Sequence, residues 1–244
     1  MSGRRLFVAG ERLGGPRLTL TGPEHRHVGR VLRARPGDAL TLFDGAGGEV
    51  EAEVLRVARQ ETELALGARR QIAGPAVALV LLCAVPRGPR MDFLVQKTAE
   101  LGVARIVPVI TARSVARPDA EAGRPARWEK IAREAARQCG RADVPLVDPP
   151  ASLAAALGAP GLPARRLALF EGERKRSLRA ALAGCEPAAT ALLVGPEGGF
   201  APVELAAARA ARFESVGLGD RILRVETAAI VAVALVADAY GMLG

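Results

Sequence analysis

Aromatic side chains are scarce in this sequence: one Trp, one Tyr and six Phe make up 3% of 244 residues, although half of all residues are hydrophobic. Such a chain is folded rather than disordered, with a core of Ala, Val and Leu. Its length allows one large domain or a small one beside a medium one. Cysteine is equally sparse. Cys83, Cys139 and Cys185 are odd in number and widely spaced, which excludes a disulfide framework and a C-x-x-C metal knuckle and leaves buried, reduced thiols as the expectation. The only histidines, His25 and His27, have no Cys or acidic partners at ligand spacing, so no metal site is expected; packing and RNA contact both stay open for them. Long apolar runs are missing too. Ala76 to Val85 and Ala228 to Ala237 reach about half of the roughly 20 residues a membrane-spanning helix needs. Met1 to Arg12 holds no apolar stretch fit for a signal peptide, so a cytoplasmic chain without a membrane segment is expected.

Lysine is nearly absent as well: among 34 basic residues only Lys97, Lys130 and Lys175 are lysines, and the net charge is +8. Guanidinium groups suit bidentate phosphate recognition and base stacking, so the sign of the charge favours a polyanionic partner. Genome composition is an equally good source of the arginine preference.

Two periodicities divide the chain. Arg17 to Thr21, Ala39 to Phe43, Gly48 to Val57 and Glu61 to Leu66 alternate apolar with polar residues between Gly14-Gly15-Pro16, Pro36-Gly37-Asp38 and Asp44-Gly45. They predict a small antiparallel β-barrel over residues 1–70, with a short helix at Glu24 to Arg33. Gly67 to Pro75 breaks the pattern, and a second domain spans 75–244. There, apolar runs at Ala76 to Val85, Arg105 to Ile110, Pro145 to Val147, Arg166 to Phe170 and Thr190 to Val194 alternate with helical patterns at Met91 to Leu101, Arg127 to Cys139, Ser152 to Leu157, Pro202 to Arg212 and Thr227 to Leu243. This predicts an α/β domain around a mostly parallel sheet. Val115 to Arg127 reads as a mobile loop.

Ligands of open α/β sheets bind beyond the carboxyl ends of the strands. Three such ends carry glycine: Glu171-Gly172 after Leu169-Phe170, Gly195-Pro196-Glu197-Gly198-Gly199-Phe200, and Gly217-Leu218-Gly219-Asp220-Arg221-Ile222-Leu223-Arg224. Each glycine lets backbone approach a ligand closely, although strand-to-helix turns also carry glycine for purely steric reasons. The second loop lacks the lysine and hydroxyl of a P-loop, and the third lacks the last glycine of a dinucleotide fingerprint. Leu169, Leu218, Ile222 and Leu223 instead suit the apolar walls of a ligand containing a heterocycle.

At these residues the sequence resembles the SPOUT-superfamily methyltransferases of the small-subunit rRNA methyltransferase E family, which modify N3 of a uridine in bacterial 16S rRNA. The resemblance rests on Gly195-Pro196-Glu197-Gly198-Gly199-Phe200, Leu218-Gly219 and Arg221-Ile222-Leu223-Arg224-x-Glu226-Thr227-Ala228. Pro86-Arg87-Gly88, Gln96-Lys97-x-x-Glu100-Leu101-Gly102, Arg113-Ser114 and Glu134-Ala135-x-x-Gln138-x-Gly140-Arg141 follow the family's order, and His25-x-x-Val28 leading to Val31-Leu32-Arg33 and Gly37-Asp38 resembles its PUA-like RNA-binding barrel. The resemblance implies a trefoil knot in the C-terminal segment, a homodimer, S-adenosylmethionine as cofactor, and 16S rRNA in the small subunit or a late assembly intermediate as partner. Cofactor-binding residues would be Leu169, Glu171, Gly172, Gly195, Glu197, Gly198, Leu218, Gly219, Ile222, Leu223 and Thr227. Two departures stand out: Ala201 replaces a Ser or Thr helix cap, and arginine replaces lysine around Arg87 and Arg90.

The implied reaction requires alignment of an electrophilic methyl group and loss of the N3 proton, without a metal. Arg224 would hold the uracil or stabilise its anion, or else pair with Glu226. Glu197 would bind the ligand or act as a base, or simply open a helix. Arg26, Arg33, Arg87, Arg113, Gln138 and Arg141 are the candidate RNA contacts, with solvated surface as the plain alternative for each.

Overall fold

The computed structural model describes residues 4–114 and 124–243, so most of the loop expected between Val115 and Arg127 lies outside the described residues. Contacts divide the chain into two units. The first contains the chain up to Gly74 together with Ala136–Val144; the second contains Pro75–Ala135 and Pro145–Gly244.

Five strands form the first unit: β1 (Arg5–Phe7), β2 (Arg17–Thr21), β3 (Ala39–Phe43), β4 (Gly48–Val57) and β5 (Glu61–Gln71), in the order β1-β3-β4-β5-β2. The pairings among β2 to β5 are antiparallel, as the alternation predicts, but β1 joins β3 in parallel. Two register shifts between β4 and β5, at Val50/Ala52 and Val54/Arg56, bend and twist the sheet. Gly67 sits at the first of them. A Cβ there would lie 3.0 Å from the Glu51 carbonyl. The glycine expected to end the strand therefore marks a bulge inside it, and β5 continues to Gln71. Leu20, Leu40, Leu42, Val54 and Leu64 fill the concave face. The expected helix at Glu24 to Arg33 is instead a short α1 (Gly22–Arg26) continued by one π turn, His27–Val31.

Residues 136–144 are held to this unit by backbone. The Val144 amide donates to Gly45 at 2.9 Å and the Gly47 amide to Ala142 at 3.2 Å. Arg5 donates to the Arg141 carbonyl at 3.0 Å and pairs with Glu49. Gly45 has φ +78°, and a Cβ on it would meet the Phe7 ring at 3.0 Å and Val144 at 3.1 Å. Glycine is required at that approach.

In the second unit the chain runs β6 (Leu79–Ala84), α2 (Arg90–Glu100), β7 (Arg105–Ile110), α3 (Arg124–Cys139), β8 (Leu146–Val147), β9 (Ala151–Ser152), α4 (Leu153–Leu157), β10 (Arg165–Leu169), α5 (Leu178–Leu182), β11 (Thr190–Val194), α6 (Pro202–Ala210), β12 (Glu214–Val216) and α7 (Val225–Ala239). The last turn of α3 belongs to the first unit. The sheet order is β12-β10-β11-β6-β7-β8, with β9 beside β7, and every pairing is parallel. β6 and β11 are buried along their whole length, as an apolar run between two helical layers must be. α2 buries Met91, Leu94, Val95, Thr98 and Ala99, one stripe of a helical surface, and packs against α7. The α4 cap is as expected: Ser152 Oγ accepts from the Ala155 amide at 3.2 Å.

The Ala201 departure is offset locally. Glu204, buried at the third position of α6, accepts from the Ala201 amide at 2.8 Å with one oxygen and from the Ala112 amide at 2.8 Å with the other. Half of a capping box survives without a side-chain cap. All three cysteines are free, but only Cys83 is buried; Cys139 is exposed at the end of α3, which corrects the expectation of three buried thiols. No helix among the described residues is long and apolar enough to cross a membrane.

Leu193, fully buried in β11, tests the core. Leu193→Ala is expected to lower unfolding free energy by about 2–5 kcal/mol, measured by urea denaturation of the whole chain.

Candidate active site

β12, β10 and β11 are consecutive neighbours in the sheet and run in parallel, so the loops that follow them leave the same edge side by side. These are the three glycine-bearing segments singled out above. They line a shallow cleft that is open to solvent.

Eight of the expected cofactor residues line it: Leu169, Glu171, Gly195, Glu197, Leu218, Gly219, Ile222 and Leu223. Phe170, Val194, Pro196, Phe200, Arg221, Val225 and Ala228 complete the wall and were not singled out as ligand contacts, although all but Val194 belong to the quoted segments. Gly172, Gly198 and Thr227 are exposed and do not line the cleft. Gly172 faces the Phe170 ring, and a Cβ on Gly198 would point at the Arg113 side chain 3.4 Å away. Ile222 is 81% exposed at the rim.

The glycines serve the protein's own close packing. A Cβ on Gly195 would lie 2.8 Å from the Phe200 ring. Gly199, at φ +68°, has the Glu171 carboxylate where a Cβ would stand. Gly217 meets backbone rather than a side chain: a Cβ would come within 2.4 Å of the Glu173 carbonyl. There the first and third loops are laced together, Gly217 donating to Arg176 O at 2.9 Å and accepting from the Leu178 amide at 2.9 Å. Close approach is thus the correct reading of these glycines, with protein rather than ligand on the other side at these three positions.

Charge is distributed unevenly around the cleft. Arg90, the first residue of α2, reaches Glu197 at 3.3 Å and lies 3.8 Å from Glu226, the second residue of α7. Glu226 therefore pairs with Arg90, and the alternative pairing with Arg224 is not formed. Glu226 is only 8% exposed and its Oε2 has no hydrogen-bond partner among the described residues. Arg224, the residue before α7, is exposed and makes no ion pair among the described residues. Cys83, paired in register with the cleft residue Val194, has its thiol pushed far up, first by burial and then by the charges of Glu197 and Glu226. Arg90 was noticed in the sequence only as a replaced lysine; its partners lie more than 100 residues away, where no local pattern can point to them.

The expected RNA contacts are scattered. Arg113 donates to the Gly198 carbonyl at 2.7 Å, which fixes it beside the second loop. Arg87 is exposed between β6 and α2, without an ion pair among the described residues. Gln138 is exposed in the first unit, whereas Arg141 there is half-buried and bonded to Asp143 at 2.5 Å. Arg33 is exposed with φ 49°, in the left-handed region. Arg26 joins Arg30 and Arg59 around an open cleft in the same unit, and none of the three makes an ion pair among the described residues. His25 stands in its wall, Nδ1 2.9 Å from the Thr62 hydroxyl.

The fold and cleft are those of an RNA-modifying methyltransferase class: residues 74–237 match the model of the RNA methyltransferase domain, and residues 20–64 that of the RNA methyltransferase PUA domain. A ribosomal RNA small subunit methyltransferase E from Synechocystis is 34% identical, over 94% of this chain and 76% of the relative. The enzyme of the same name from Neisseria gonorrhoeae, solved bound to S-adenosylmethionine, is 32% identical with a TM-score of 0.85 over 97% of each chain. A putative methyltransferase from Legionella pneumophila, solved with the cofactor SAM, is 32% identical with a TM-score of 0.86, covering 97% of this chain and 98% of that one. The chain belongs to the ribosomal RNA small subunit methyltransferase E family.

Because the Glu173 carbonyl cannot move without unlacing two loops, Gly217→Ala is expected to destabilise the second unit by about 1–3 kcal/mol. Chemical denaturation measures this.

Proposed function

We propose that the chain binds S-adenosylmethionine in the three-loop cleft and transfers its methyl group to N3 of a uridine in 16S rRNA. The observation that carries this reading is the convergence of the three loops on one cleft, with an exposed arginine, Arg224, between the lining residues Leu223 and Val225 and without an ion pair among the described residues. The cofactor's chemistry fits the residues present. Leu169, Val194, Leu218 and Leu223 offer apolar surface for an adenine ring, while peptide groups at Gly195 and Gly219 and the carboxylates of Glu171 and Glu197 offer polar partners for ribose and amino-acid groups. When bound, S-adenosylmethionine supplies a methyl carbon that is already electrophilic.

The protein's remaining work is alignment and help with one proton. Arg224 holds the uracil and stabilises the negative charge that develops on its ring as the N3 proton leaves. Glu197 is part of the cofactor wall, oriented by Arg90. Gly172, Gly198 and Thr227 act by shaping the loops. In the first unit, Arg26, Arg30 and Arg59, which make no ion pair among the described residues, provide cations for phosphates together with Arg33, and Arg87 and Arg113, the latter fixed on the Gly198 carbonyl, do so in the second. Gln138 and Arg141 are presented with the barrel unit, Gln138 as an RNA contact and Arg141 mainly through its bond to Asp143. The trefoil knot, the homodimer and a cytoplasmic site of action on the small subunit or a late assembly intermediate complete the reading, supported by membership of the family.

Deletion of the gene should remove one methyl group at one uridine of 16S rRNA, seen by mass spectrometry and restored by the purified chain with S-adenosylmethionine. An unmethylated target elsewhere, or none, would refute the assignment. Arg224→Ala is expected to leave cofactor affinity within about twofold and to lower turnover about a hundredfold or more. Replacing Arg26, Arg30 and Arg59 together with Ala should flatten the salt dependence of RNA binding, by about one in log–log slope for each phosphate that is no longer neutralised.

A further inference from the structure

Behind the cleft wall one cation serves two anions. Arg90 contacts Glu197 at 3.3 Å and Glu226 at 3.8 Å, and Glu226 Oε2 is buried without a hydrogen-bond partner among the described residues. An ionised carboxylate that deep ordinarily gathers donors to all its lone pairs, because an uncompensated buried charge is costly. The deficit lies next to the ligand space: Glu197 lines the cleft, and so do Val225 and Ala228 on either side of Glu226. The Cys83 thiol, on the strand beside Val194, feels both carboxylates. The other charges on the wall count for less. Glu171 and Arg221 are of opposite sign and exposed, where solvent and salt screen them. Glu226 is buried, and its field is screened far less.

We propose that Arg90 is a positioning residue that holds Glu197 and Glu226 as an under-neutralised pair, and that this pair selects the cationic form of the cofactor over the neutral product left after methyl transfer. The inference rests on the reading of the cleft as an S-adenosylmethionine site. The sulfonium carries a fixed positive charge, and S-adenosylhomocysteine, its thioether product, does not. The two are otherwise nearly isosteric, so apolar walls and backbone groups distinguish them poorly. A net negative field from the wall stabilises one and is indifferent to the other. Transfer itself removes the charge that the pair favours, which weakens retention of the product and clears the cleft for the next turnover.

Isothermal titration of the full chain with each of the two ligands tests this. Glu226→Gln keeps shape and removes the charge. It is expected to weaken S-adenosylmethionine binding about tenfold while S-adenosylhomocysteine affinity stays within about twofold, so that the preference shrinks. Glu197→Gln, at a half-exposed side chain whose neutralisation does not threaten folding, should shift the ratio in the same direction by a smaller factor, and it decides the matter if the Glu226 variant does not fold. Equal losses for both ligands, or an unchanged ratio in the variants, would overturn the selection by charge and leave the methyltransferase assignment intact. A wild-type chain that binds neither ligand would overturn the assignment itself.

Discussion

Parallel hydrogen bonding between β10 and its two neighbours, β11 and β12, is the constraint on which the site depends. The three strands are separated in sequence by helices and turns, yet their pairing places every following loop on one edge. No single loop encloses a ligand space. The lacing of Gly217 with Arg176 and Leu178 then fixes two of the loops against each other, and the apolar floor provided by Leu169 and Val194 comes directly from the last residues of the strands. Sheet pairing, not loop sequence, creates the cleft.

Much of the architecture is legible in the sequence because burial imposes period. β7 and β11 coincide with their apolar runs residue for residue, and the α2 stripe with its helical spacing. The elements that escape are those too short to show a period: β1 and β12 have three residues each and α5 has five. Gly67 escapes for a different reason, since a glycine that ends a strand and one that bulges it are the same letter until the opposite carbonyl is known. The candidate site divides in the same way. Glycines and leucines of three local segments could be named from the motifs, but their number at the cleft is decided by where each Cα–Cβ direction falls, and that separated Gly195 from Gly198. The pairing of Arg90 with Glu197 and Glu226 has no local trace at all. Its members sit on α2, on the loop after β11 and on α7, and only the packing of α2 on α7 brings them within reach.

Electrostatics in the two units follow different logic. In the first, acidic and basic side chains pair at the surface, as Arg56 does with Glu61 and Glu63, while Arg26, Arg30 and Arg59 line one cleft without such a partner among the described residues. Exposed pairs of this kind contribute little to stability, so the informative residues are the cations left over. In the second unit the informative group is an anion that shares its one cation with another, Glu226, in a place water reaches poorly. One arrangement suits a polyanion held at long range and loosened by salt; the other suits a small cation held at short range.

The segment 136–144 means that neither unit is a continuous stretch of chain. The polypeptide leaves the barrel after Gly74, returns at Ala136 and leaves again after Val144. A gene cut once at the first boundary would deliver all five strands of the first unit, but Gly45, Gly47 and Arg5 would lose the backbone partners that Val144, Ala142 and Arg141 provide. An exchange of the first unit between relatives that kept these bonds would have to carry this short return loop with it.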